Sequence, residues 1–269
     1  MKSQNPFYTV TAAVIAIFSP ANGAVVVVDH EDLAKKVQNP VAALISLPLQ
    51  SNFDYGIGVN NGFRYTLNVQ PVIPFELNDD WNLISRTIVP FIHQENVFGD
   101  STQDGLSDTV QSLFISPKAP TAGGWIWGAG PVLLLPTATD ELLGTEKWGA
   151  GPSVVMIKQF DGWTVGALAN HIWSYTGKSS REDVNLSFIQ PVVAYTEKTT
   201  KITAAVFTDA TYDWTTSQWT VPISGAISKV FVVANQPVNV SFGGRYYAEG
   251  PAGGPEWGLR LNVTFLFPK

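Results

Sequence analysis

The chain has no cysteine among its 269 residues. That excludes disulfides and thiolate metal sites, and it is compatible with export through an oxidising periplasm. Charge is scarce as well. Asp, Glu, Lys and Arg together make up 14% of the residues, where a soluble globular protein averages about 25%. So little charge does not cover an ordinary water-facing surface. The charge present sums to −6, with an isoelectric point near 5.0, so there is no basic footprint for nucleic acid. Nor does any apolar run approach the roughly 20 residues of a membrane-spanning helix. What is present is 45% hydrophobic residues, nine Trp and eight Tyr. Without membrane helices, only a closed barrel satisfies every backbone group in lipid, and Trp and Tyr build its interfacial girdles.

The N-terminus reads as a targeting segment. Lys2 supplies a thin positive region, Val10 to Phe18 a short apolar run, and Ser19 to Ala24 a stretch of small residues. This pattern predicts a signal peptide over residues 1–24, cut after Ala24 or Ala21. Residues 25–50 then form an N-terminal helical segment, with helix-like spacing from Asp29 to Leu47 and a break at Asn39-Pro40. It reads as a short periplasmic or mouth-covering helix pair, with a plug inside the lumen as the alternative.

From residue 51 to 269 the pattern has period two, in stretches of about ten residues divided by turn signals. Phe63, Tyr65, Leu67, Val69, Pro71 and Ile73 share one face, and Arg64, Thr66, Asn68 and Gln70 the other. Trp257, Leu259, Leu261, Val263, Phe265 and Phe267 alternate with Gly258, Arg260, Asn262 and Thr264. Val238, Val240, Phe242 and Tyr246 oppose Asn239, Ser241, Arg245 and Tyr247 in the same way. Apolar out and polar in is the order for lipid outside and water inside. A soluble sandwich also alternates, but the low charge and the signal-like start argue against it. The stretches near Ile84, Val154 and Phe188 alternate poorly, which implies a lumen only partly polar. Glycines paired on one face, Gly128/Gly130 and Gly149/Gly151, relieve crowding inside or mark strong curvature.

The expected fold is therefore all-β: an antiparallel transmembrane β-barrel of about twelve strands with a short N-terminal helical segment. Strand starts fall near Asn52, Phe63, Trp81, Asp108, Trp125, Trp148, Trp163, Asn185, Ile202, Trp219, Val238 and Trp257. The connections alternate between short and long, as barrel turns do between the periplasmic and outer sides. The outer set includes His93 to Ser107, Thr137 to Lys147 and Thr176 to Val184.

A lipid-facing arginine near the midplane costs roughly 2–4 kcal/mol, so Arg64, Arg86, Arg245 and Arg260 are expected to point inward. With Asp108, Asn170, Gln190, Tyr247 and Asn262 they are the candidates for lumen or constriction. Two readings follow: each arginine pairs with a carboxylate such as Asp108 or Asp209, or the group forms a cationic constriction that selects anions.

Chemistry has little to work with. Of three histidines, His30, His93 and His171, only His171 lies in a strand near serines (Ser153, Ser174 and Ser187). A nucleophile needs its base within reach and a third group to orient the base, and the spacing establishes neither. The acidic residues Asp100, Asp104 and Asp108 read as solvated loop carboxylates, or else a calcium loop. No catalytic, metal or cofactor site is assigned, and the chain is expected not to be an enzyme.

Several strings resemble a known family: Gln38 to Ala42, Asn68 to Pro74, Asp80 to Thr87, Gly130-Pro131 through Thr139, Lys147 to Pro152, Ala169 to Ser174, Arg245-Tyr246-Tyr247 and Gly258-Leu259-Arg260. The family is the outer-membrane transporters named after the meta-pathway of phenol degradation. The resemblance implies an outer-membrane channel or transporter of a Gram-negative bacterium, passing small aromatic or hydrophobic solutes. The final strand also resembles the closing strand that the barrel-assembly machinery recognises, although Pro268 and Lys269 follow its last Phe. The implied partners are outer-membrane lipids, a small-molecule solute and that machinery. A barrel-wall hydrolase, or a structural or binding barrel without transport, are the alternatives.

Overall fold

The computed structural model describes residues 30–268, with side chains from Leu33 onward; the signal-peptide reading lies outside the described residues. A short helix, α1 (His30–Val37), precedes an all-antiparallel sheet. Its strands are β1 (Ile45–Ile57), β2 (Gly62–Val69), β3 (Val72–Glu76), β4 (Trp81–Glu95), β5 (Thr102–Leu106), β6 (Thr109–Pro117), β7 (Trp125–Leu135) and β8 (Lys147–Phe160). They continue as β9 (Trp163–Gly177), β10 (Asn185–Thr196), β11 (Thr203–Thr208), β12 (Ala210–Asp213), β13 (Gln218–Val233), β14 (Gln236–Glu249) and β15 (Trp257–Phe267). Three pairs are single strands with one interruption each: β2 with β3, β5 with β6, and β11 with β12. Pro71, which has no N–H to give the ladder, sits in the first of these breaks. Twelve strands result, and β15 pairs back onto β1 from Ile45↔Phe267 to Tyr55↔Trp257. The sheet is a closed barrel.

The first strand begins upstream of both Asn52 and residue 51, and the helix is shorter than the pattern suggested. Pro40 disfavours helix at Asn39, whose side chain instead accepts from Val41 N at 3.0 Å in a tight turn. From Ile45 the chain pairs with β15. Likewise, the stretch from His93 to Ser107, expected as a loop, is a hairpin in which β4 runs to Glu95 and β5 returns from Thr102.

At one end the connections are mostly short, the longest being 118–124, and they include two-residue turns at Asp161-Gly162 and Ala234-Asn235. All four residues have positive φ (46°, 84°, 49° and 66°), the geometry whose twist matches that of the flanking strands. Another turn at this end is held by Glu197. Its carboxylate accepts from the backbone N–H of Thr200 and Thr199, which lowers its pKa to about 2. The connections at the opposite end include the long segments 136–146, 178–184 and 250–256.

The period-two alternation becomes two faces of the wall. Ile223, Ile227, Phe231, Phe242, Tyr246, Trp257 and Leu261 stand exposed on the outside, where lipid would cover them. Ser224, Asn239 and Thr264, one residue out of phase, are buried inside. Aromatic clusters such as Tyr55 stacked on Trp257 and Tyr212 against Trp214 and Trp219 lie toward the long-loop end.

The poorly alternating strands have a structural cause. Their inward residues Ile84, Phe114, Val155, Ile157 and Leu168 are buried against Val41 of the N-terminal segment. Gly128 leaves space for that valine, since a Cβ there would lie 3.1 Å from Val41 Cγ1. Gly151 serves differently: a Cβ would fall 1.7 Å from His171 O, so two backbones approach where no side chain fits. Gly151→Ala should therefore destabilise the barrel by roughly 1–3 kcal/mol or more, as overpacking does. Gly225→Ala, with nothing within 4 Å of its Cβ, should be neutral. The temperature at which each purified barrel loses its compact mobility on a denaturing gel measures the difference.

Candidate solute site in the barrel interior

Residues 30–44 enter the barrel from its short-turn end. Leu33, Ala34, Ala42 and Leu44 are buried with Val230 and Leu266 of the wall, and Gln159 Nε2 donates to Lys35 O at 2.8 Å. The preferred reading of this segment as a periplasmic or mouth-covering helix pair is thus corrected: it packs inside the lumen. The apolar stripe of α1 and Val41 finds a matching apolar wall there, and burial of both drives the insertion.

Above this floor lies a cavity of about 260 Å³. The inserted segment contributes Val37, Pro40, Ala42 and Leu44. One part of its wall is apolar, with Val155, Ile157, Leu168, Val192 and Phe207. Another is polar, with Gln50, Gln70, Arg86, Gln190, Arg260 and Asn262. The contrast follows from the sheet order: β14, β15, β1, β2 and β4 bring their polar inward positions together as neighbours.

The four arginines fall into two groups. Arg245 Nη2 meets Asp54 Oδ2 at 2.5 Å, and Tyr247 Oη donates to the other oxygen at 3.0 Å. Arg260 Nη2 meets Asp209 Oδ2 at 2.6 Å and its Nε donates to Asn52 Oδ1 at 2.7 Å. Gln190 Nε2 donates to the remaining Asp209 oxygen at 2.5 Å. The other two arginines have amide partners instead. Arg64 Nε donates to Gln94 Oε1 at 2.8 Å, and Arg86 Nη2 to Gln70 Oε1 at 3.0 Å. Neither has an ion-pair partner among the described residues.

The remaining candidates lie apart. Asn262 lines the cavity, and its Oδ1 is buried without a partner. Asn170 faces inward between Ser153 and Phe188, away from the cavity lining. Asp108 pairs with no arginine. Its carboxylate accepts from Thr145 N and Thr145 Oγ1, both at 2.6 Å, and from Ala138 N, so it holds the loop between β7 and β8. Asp54, Asn52, Gln70 and Gln94 were not singled out from sequence, although Gln50, Asn52 and Asp54 alternate on one face of β1.

Outside, His171 Nδ1 lies 2.8 Å from Ser187 Oγ, which also accepts from Trp214 Nε1 at 2.9 Å. His171 Nε2 has no partner to orient the ring. Asp100 bonds Asn60 and Asp104 bonds His93, so with Asp108 on its loop the three carboxylates are committed to separate partners.

Among solved structures the chain is similar to an outer membrane channel from Pseudomonas putida F1. Identity is 15%, the TM-score is 0.66, and the match covers 84% of this chain and 96% of that one. The NanC porin matches at 11% identity and TM-score 0.50, over 81% of this chain and 98% of that one. This is the fold of outer-membrane channel barrels. No protein-family model matches the chain, so the resemblance to the meta-pathway transporters rests on the strings quoted above. No curated protein matches it significantly. The expectation that the chain is not an enzyme is corrected here. Outer membrane phospholipase A from Escherichia coli, an enzyme, is among the solved structures that match, at 10% identity and TM-score 0.48 over 90% of this chain and 99% of that one. Absence of catalysis does not follow from such a fold.

Proposed function

We propose that this barrel resides in the outer membrane of a Gram-negative bacterium and passes small solutes with an aromatic or aliphatic body. The observation that carries the reading is the cavity, whose wall is apolar on one side and amide- and arginine-rich on the other. A porin for sugars or salts has no use for Val192 and Phe207 facing its lumen. A purely structural barrel has no use for arginines held there at the expense of desolvation. The long-loop end faces outward and the short turns face the periplasm, following the usual asymmetry of such barrels. The inserted N-terminal segment then lies on the periplasmic side of the cavity, so a solute arriving from outside meets it last.

Reconstitution into liposomes tests the reading. Purified barrel should speed the entry of benzyl alcohol-sized aromatic solutes over empty vesicles, and do so more than for a disaccharide. Equal rates with and without protein would overturn transport and leave a binding or structural barrel.

A further inference from the structure

We propose that the cavity is a binding site for small organic monoanions, such as a single-ring carboxylate, with Arg86 as the group that holds the anionic end. The inference rests on the interior being a solute route and names the class of solute.

Charge arithmetic is the starting point. Four arginines on the inner wall face two aspartates, and each aspartate is taken by one arginine. Among the described residues Arg86 is left with a single side-chain hydrogen bond, to a neutral amide. Its guanidinium carries five N–H donors in a fork that matches a carboxylate. The carboxylate that acts on Arg86 through space is Asp209, already bonded to Arg260 and Gln190. A lumen-facing guanidinium whose charge no carboxylate is bonded to draws anions to its side of the cavity.

The apolar wall decides which anions. Leu168, Val192 and Phe207 line the cavity together with Arg86, and a small inorganic ion leaves those surfaces in contact with nothing but water. An acid with a ring or short chain covers them. At about 260 Å³ the space falls just below the roughly 300–1,000 Å³ of sites for drug-sized ligands. One ring with a carboxylate fits. The unpartnered Asn262 Oδ1 accepts a donor such as a ring hydroxyl, which extends the class to hydroxylated acids.

The test is titration calorimetry on the detergent-solubilised barrel, with benzoate and its neutral isostere benzamide as probes. Benzoate should bind roughly tenfold tighter than benzamide, the margin of one charge-assisted contact. Arg86→Gln should erase that preference, and Arg86→Lys should restore part of it. Lys229→Gln removes the same charge from the opposite face of β13, where Ser228 and Val230 point inward, and should leave the preference intact. Equal affinity for the two probes, or a preference that survives Arg86→Gln in a heat-resistant barrel, overturns the proposal. Because calorimetry needs no passage, a benzoate preference in a barrel that fails the liposome assay supports the site while removing the transport reading.

Discussion

Replacing Asp54 by Ala should destabilise the barrel by about 3 kcal/mol, more than any other single change among the polar residues of the wall. Asp54 and Arg245 are 9% and 8% exposed, and they meet at 2.5 Å. Removing one partner of a buried ion pair leaves the other charge uncompensated, and such changes cost about 3–5 kcal/mol. The lower end applies because a wetted lumen screens part of the penalty. Tyr247 also loses the acceptor for its hydroxyl, and Arg245 Nε has no partner even in the intact network. The pair bridges β1 and β14, the two neighbours of β15, so the seam where the barrel closes is the part that weakens. Thermal unfolding followed by circular dichroism should show the drop. Asp54→Ala combined with Arg245→Gln should recover most of it, because the stranded charge is then gone. A singly substituted barrel as heat-resistant as the original would show that the pair contributes little.

Deleting residues 30–43 behind an intact export signal should raise single-channel conductance severalfold, the largest functional effect expected. These residues fill the lumen below the cavity, through the cluster around Leu33 and Leu44 and through Val41. The wall itself should survive, since its ladder closes through β1 and β15 without the segment. Its inner face will be less comfortable, with Ile84, Phe114 and Val155 newly facing water, so some loss of heat resistance should accompany the gain in current. Conductance unchanged by the deletion would mean that ions already pass around the segment, and the floor would then be no barrier.

The architecture was legible because lipid and water mark a barrel wall at known intervals. Trp81, Trp125, Trp163 and Trp257 are the first residues of β4, β7, β9 and β15, as interfacial aromatics should be. The parity of Arg64, Arg245 and Arg260 was legible for the same reason: charge does not face lipid. What periodicity does not carry is the identity of an apolar inward neighbour. Ile84 and Val155 read as blurred strand positions because their counterpart, Val41, lies far away in a segment with a different period. The partner of Arg245 was equally hidden, since Asp54 is 191 positions away and meets it only on closure. Asp108 misled in the opposite sense. Its place in an alternating stretch suggested the lumen, yet the backbone of a later loop claims its carboxylate.

The seam between β1 and β15 also dictates an order of assembly. The inserted segment is covalently joined to β1, and β1 must wait for β15, made last, before the hoop is complete. While the seam is open, residues 30–44 can settle sideways, with Val41 on the inner faces of β6, β8 and β9 and Leu33 on that of β13. Once eleven residue pairs from Ile45↔Phe267 to Tyr55↔Trp257 are zipped, the only way in is through the short-turn mouth. A chain that closes before its leading segment is seated therefore holds an empty interior, and must either admit the segment end-on or reopen its longest-range contact. Slow maturation after insertion is the kinetic signature of that choice, since contacts between the two ends of a chain are the last and slowest to form.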